Sequence, residues 1–92
     1  MTREKVFIGW HDKETGSRPD VDLSRFNVAE NGISRQHAMI SRNGKGFTIT
    51  DLSSRNGTYI DRQHLPLETP VPLVSRCLLR LGTLTILVFL CE

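Results

Sequence analysis

Apolar residues in this chain come in short clusters parted by turn-forming residues, and no stretch of ten sustains a helical period. Val6-Phe7-Ile8 is a β-branched and aromatic run stopped by Gly9, which predicts a strand ending at a turn. From His11 to Asp22 the residues are charged or turn-forming, with Asp12, Gly16, Ser17, Pro19 and Asp20 among them, and read as a loop closed by a brief extended segment, Val21-Asp22-Leu23. Ser24 to Gly32 carries Asn27, Asn31 and Gly32 and reads as loop or a single helical turn. Ala38 to Ser41 is the next strand, Asn43-Gly44 a strong hairpin signal, and Phe47-Thr48-Ile49-Thr50-Asp51 the alternating return strand. Asn56-Gly57 repeats the signal before a third short strand, Thr58-Tyr59-Ile60. Asp61 to Pro72 is rich in loop residues, and Pro66, Pro70 and Pro72 exclude a central strand there. Cys77 to Leu81 and Thr83 to Phe89 then close the chain as a strand pair about Gly82. Many short strands with turn signals between them predict an all-β fold, an antiparallel β-sandwich, in one continuous domain over residues 1–92.

Composition narrows the function more than the fold. A chain of 92 residues, 38% hydrophobic and 24% charged, folds, but with a modest core. Its net charge of +2, from 12 basic and 10 acidic residues, lacks the basic stripe that nucleic acid requires, so no nucleic-acid partner is expected. The longest uninterrupted apolar run, Ile86 to Cys91, is far short of the ~20 residues of a membrane-spanning helix. No apolar run of signal-peptide length follows Met1-Thr2-Arg3-Glu4-Lys5, so the expectation is a cytoplasmic chain without a transmembrane segment. Cys77 and Cys91 stand in no C-x-x-C or metal-ligand spacing and read as buried reduced thiols.

Chemistry concentrates in two polar loops, Ser34-Arg35-Gln36-His37 and Ser53-Ser54-Arg55-Asn56-Gly57, each leading into a strand. A hydrolase using Ser34 and His37, with Asp51 as third member, is the weakest reading. Ser34 has no nucleophile-elbow glycine pattern, and a base three residues from its nucleophile on a strand-entry loop lacks the usual geometry. His11, His37 and His64 are scattered with no second ligand at a coordinating spacing, so neither a metal nor a cofactor is expected. What the loops do offer is anion and backbone recognition: hydroxyls at Ser34, Ser53 and Ser54, guanidinium groups at Arg35 and Arg55, and the carboxamide of Asn56. That set suits a phosphorylated peptide. Ser, Asn and Gly are also turn residues, which leaves a purely structural role open on local chemistry alone.

Phe7-Ile8-Gly9, Gly32-x-Ser34-Arg35-x-His37-Ala38-x-Ile40, Phe47-x-Ile49-x-Asp51-Leu52-x-Ser54-x-Asn56-Gly57-Thr58-Tyr59-Ile60 and Leu79-Arg80-Leu81-Gly82, taken together, resemble the forkhead-associated domain, a phosphothreonine-peptide reader. The resemblance covers nearly the whole chain. It implies a twisted antiparallel sandwich with its reading loops at one end, a non-enzymatic adaptor in signalling. It also implies that Ser34 bonds the phosphate, that Arg35 and Arg55 flank the phosphothreonine, and that Asn56 holds the peptide backbone. His37 would brace the loops by hydrogen bonds, and Gly57 would supply the backbone freedom of its turn.

The chain departs from that family in two places. The family reads Gly-Arg after its early strand, and that arginine contacts the phosphate, whereas this chain has Gly9-Trp10. A hydrogen bond to a charged group contributes roughly 1.5–3 kcal/mol, so its loss weakens phosphopeptide binding by about ten- to a hundredfold. Trp10 reads as packing over the loops, as an aromatic anchor for an unphosphorylated partner, or as a place into which Arg18 or Arg25 folds. Secondly, only about five residues precede Val6, where the family carries one or two further strands. The expectation is an unpaired edge near Lys5-Val6-Phe7-Ile8 that dimerises or accepts a partner's strand, or else a start shortened by misassignment. The partner is thus a phosphorylated or unphosphorylated protein, and the competing function is a phosphorylation-independent docking subunit of a larger assembly.

Overall fold

The computed structural model describes residues 4–44 and 46–90, and the expectation for the Cys91 thiol lies outside them. The elements run β1 (Lys5–Gly9), β2 (Val21–Asp22), a four-residue helix α1 (Val28–Asn31), β3 (Gln36–Asn43), β4 (Gly46–Asp51), β5 (Thr58–Ile60), β6 (Gln63–His64), β7 (Val71–Leu73), β8 (Arg76–Leu81) and β9 (Leu84–Phe89). They form two sheets, ordered β2-β1-β3-β4-β7 and β6-β5-β8-β9. Every pairing is antiparallel except β1 with β2, where Ile8 stands beside Val21 and Gly9 beside Asp22 in parallel.

The core draws Ile8, Ala38, Ile40, Phe47 and Ile49 from the first sheet and Leu79 and Leu81 from the second, with Leu23, Ile33 and Leu65 contributed from the loops. Burying a Leu, Ile or Phe side chain contributes about 1.5–3 kcal/mol, which is why the loops that carry Leu23, Ile33 and Leu65 hold a defined course despite their polarity. Cys77 is a buried free thiol, and burial pushes its pKa up. Among the described residues no helix is long and apolar enough to cross a membrane.

Three local expectations are corrected. Asn43 is still in the β3–β4 ladder, opposite Gly46, so it is not a turn residue; Gly44, at φ 60°, leads out of β3. That register sets Ile40 against Ile49 with both in the core, and core registration outweighs the dipeptide preference. Secondly, Asn56-Gly57 is no hairpin turn, because β4 and β5 lie in different sheets and the chain crosses between them. The buried Asp51 carboxylate holds the crossing by accepting from the Ser54 N–H (3.0 Å), the Ser54 hydroxyl and the Thr58 hydroxyl (2.6 Å). Pro72, by contrast, sits where the proline rule puts it, in an edge strand opposite Thr48.

The third correction is the open edge. β1 lies between β2 and β3, and the Phe7 N–H is taken by the Asp20 carboxylate at 2.9 Å. The edge at Lys5-Val6-Phe7-Ile8 is therefore largely covered, and among the described residues β9 is an outer strand of the other sheet.

Candidate functional site

Three chain segments converge at one end of the sandwich: the exit of β1 at Gly9-Trp10, the entry to β3 at Ser34-Arg35, and the entry to β5 at Arg55-Asn56-Gly57. Gly9 makes the first junction possible. A Cβ there would overlap the Arg35 carbonyl, which instead accepts the Trp10 N–H at 3.1 Å.

His37, fully buried, ties the second segment to the third. Its Nδ1 accepts the Ser34 N–H at 3.0 Å and its Nε2 faces the Gly57 carbonyl at 2.8 Å. A backbone N–H only donates and a carbonyl only accepts, so the ring is neutral with its proton on Nε2. Burial pushes the His37 pKa below the ordinary imidazole value, partly opposed by the Gly57 hydrogen bond and the charge of Asp51. Gly57 is itself buried, at φ 88°.

Above this brace the remaining donors keep spare capacity. The Ser34 Oγ accepts the Arg55 N–H at 3.0 Å, which leaves its own proton to donate. One N–H of the Asn56 carboxamide goes to the Gly32 carbonyl at 2.9 Å, which leaves Oδ1 as an acceptor. The Arg55 guanidinium, exposed, pairs with no acid among the described residues. Arg35 is different: it is paired with Asp12, whose side chain is only 11% exposed and also takes the Glu14 N–H (3.0 Å) and the Thr15 hydroxyl (3.0 Å). The Arg35 hydrogen bond holds the Asp12 carboxyl below its usual range.

Trp10 is half-buried against the core and fixed by its indole N–H, which donates to the Ile33 carbonyl at 2.8 Å. Its ring walls an open hollow shared with Val28, Ser34, Arg35, Arg55 and Asn56. Neither Arg18 nor Arg25 lines that hollow; Arg18 borders a separate one with Phe7, Pro19 and Gln36. Ser34, Arg35, Arg55, Asn56 and Trp10 are thus gathered around one space, with His37 and Gly57 bridging the loops that carry them.

The same bonds remove the hydrolytic arrangement. His37 receives the backbone N–H of Ser34, not its hydroxyl, and Asp51 is occupied by Ser54 and Thr58, so no relay joins the three. Asp12 is the site residue that sequence reasoning missed. It reads as one more turn residue, and only the fold brings it to Arg35, 23 positions away.

Residues 7–82 match the family model of the FHA domain. An oxoglutarate dehydrogenase inhibitor of Corynebacterium jeikeium is 40% identical over 55 residues, 56% of this chain and 36% of that protein. The chain therefore spans about a third of the length of this curated relative. Among solved structures, the FHA domain of the CT664 protein of Chlamydia trachomatis is 28% identical, at a TM-score of 0.68 over 95% of this chain and 77% of that one. A second FHA domain, studied for phosphothreonine-dependent interactions, is 21% identical, at a TM-score of 0.72 over 100% of this chain and 81% of its own.

Proposed function

The chain belongs to the FHA domain family, a family of protein-interaction modules and not of catalysts, and from that premise we propose that its loop end binds phosphothreonine peptides. The observation that carries this reading is the spare bonding capacity of the Ser34 hydroxyl, the Arg55 guanidinium and the Asn56 carboxamide around a single hollow. A dianionic phosphate is met by a hydroxyl donor and a cation, and charge-assisted bonds of this kind are about twice as strong as neutral ones. A peptide backbone is met by a carboxamide that both donates and accepts. The phosphothreonine-dependent interactions described for one structural neighbour agree with it.

A second reading, phosphate-independent docking, is favoured by two features: the aromatic ring of Trp10 walls part of the hollow, and Arg35, one of the two arginines that line it, is already paired. Titrating a degenerate phosphothreonine library against its unphosphorylated counterpart separates the two. The phosphothreonine reading predicts saturable binding of the phosphorylated set alone, lost in Ser34→Ala and Asn56→Ala; equal binding of both sets, or of neither, leaves the docking reading ahead.

A further inference from the structure

An antiparallel sheet with one face in water ordinarily carries polar residues on that face. The outer face of β6-β5-β8-β9 departs from this. Buried and outward residues alternate along β8, which turns Arg76, Leu78 and Arg80 outward, and across the ladder from them stand Phe89, Leu87 and Thr85. Leu78 and Leu87 are each 49% exposed, so an apolar pair lies between two arginines.

Aromatic rings hold both arginines in place. The Arg80 guanidinium lies 3.7 Å from the centroid of the Tyr59 ring, which is itself backed by His64 with ring centroids 4.7 Å apart. One Arg80 N–H donates to the Gly82 carbonyl at 3.2 Å, and the rest of its fork is left to bond. Arg76 lies over Phe89, 5.9 Å from the ring centroid. Among the described residues neither arginine pairs with an acid, nor does Arg62, which lines a hollow with Leu78, Arg80 and Thr85. The Asp61 carboxylate, at the start of the β5–β6 turn, is engaged by the Leu78 N–H at 2.9 Å. This hollow lies over the face of an inner strand, β8, not along the edge of the sheet.

We infer that this face binds an extended acidic segment of a partner protein, with the pattern acid-x-apolar-x-acid. Charge complementarity selects the acids: a guanidinium already laid on a ring loses little freedom on meeting a carboxylate, and its planar fork matches that group. Spacing selects the pattern. Residues on one face of a strand recur about every 7 Å, so a segment lying along β8 sets its two acids and the apolar residue between them over Arg76, Leu78 and Arg80. Phe, Tyr and Arg are also the types enriched in protein–protein interfaces. A nucleic acid is a poorer match, because an exposed leucine parts the cations of β8 where a phosphate backbone requires a basic stripe. The surface is separate from the loop end and does not rest on the phosphothreonine reading.

Amide-shift titration of the full chain with an unphosphorylated peptide containing Glu-Ser-Leu-Ser-Glu tests this. Saturable shifts are expected at Arg76, Leu78, Arg80 and Thr85 and not at Ser34 or Asn56, with affinity falling as salt rises. The counterpart with Gln in place of both Glu residues should bind at least about tenfold more weakly, and Arg80→Gln should cost about as much. Arg76→Gln, with the same expected loss, leaves the Tyr59 stack intact and serves if thermal melts show Arg80→Gln unfolded. Arg25→Gln, an equal change of charge at an exposed residue in the loop after β2, should leave binding unchanged. Absence of saturable shifts on this face, equal binding of the two peptides, binding that survives both Arg76→Gln and Arg80→Gln, or tighter binding of a single-stranded oligonucleotide here overturns the inference.

Discussion

Trp10 stands where the family resemblance leads one to expect an arginine, and the fold commits it to another task, with its indole N–H on the Ile33 carbonyl and its ring against the core. The site's cations are then Arg55 and an Arg35 whose charge is partly offset by Asp12. Two substitutions test this directly. Trp10→Arg should raise phosphopeptide affinity by about ten- to a hundredfold, from one added charge-assisted bond, and Asp12→Asn should raise it by less, by releasing Arg35. Calorimetric titration reads both; if neither affinity rises, cation supply does not limit binding. His37 supplies a pH test of the brace beneath. Its folded-state pKa lies below the ordinary 6.5, so as pH falls through that value the unfolded chain takes up the proton first and stability drops. Protonation also places a hydrogen on Nδ1, which abolishes the bond from Ser34. The melting temperature should therefore fall as pH drops below 6.5, and His37→Gln, less stable at neutral pH, should lose that part of the slope. An unchanged slope in the variant would contradict it.

At the level of elements, the pairing of β3 with β4 and of β8 with β9 was legible because each is a local hairpin of alternating strands about a glycine, Gly44 or Gly82. The crossing from β4 to β5 was not. Asn56-Gly57 has the composition of a hairpin turn, and what redirects the chain is a buried carboxylate at Asp51 that gathers Ser54 and Thr58, a tertiary effect without a period. The β1–β2 pairing was equally hidden, since two residues, Val21–Asp22, give no pattern, and it is this pair that moves the open edge away from Lys5–Ile8. Of the site, the positions Ser34, Arg35, Arg55 and Asn56 could be read from their loops, but the Asp12–Arg35 pair could not, because only folding brings them together. β4 itself yields a further test. The Thr50 hydroxyl is buried without a hydrogen-bond partner among the described residues. An unsatisfied buried hydroxyl costs about 1–3 kcal/mol, so Thr50→Val, nearly the same shape, should raise stability by about 1 kcal/mol in denaturant unfolding. A loss of stability would mean that the hydroxyl is satisfied after all.

Over the whole molecule, the two sheets enclose one core and concentrate function at the margins. Strand exits and entries at one end hold the hollow, with His37 and Asn56 lacing its loops. A binding module built this way needs little motion. Its donors are already placed by the bonds that hold the loops, so a ligand replaces water more than it rearranges the protein. Amide chemical-shift mapping tests the claim at the heart of this arrangement. On adding a binding phosphothreonine peptide, the shifts predicted to move first and farthest are those of Ser34, Arg35, Arg55 and Asn56, together with the Trp10 indole N–H, and the same peptide without its phosphate should leave them unmoved. Shifts confined to another face, or identical with and without the phosphate, would contradict it.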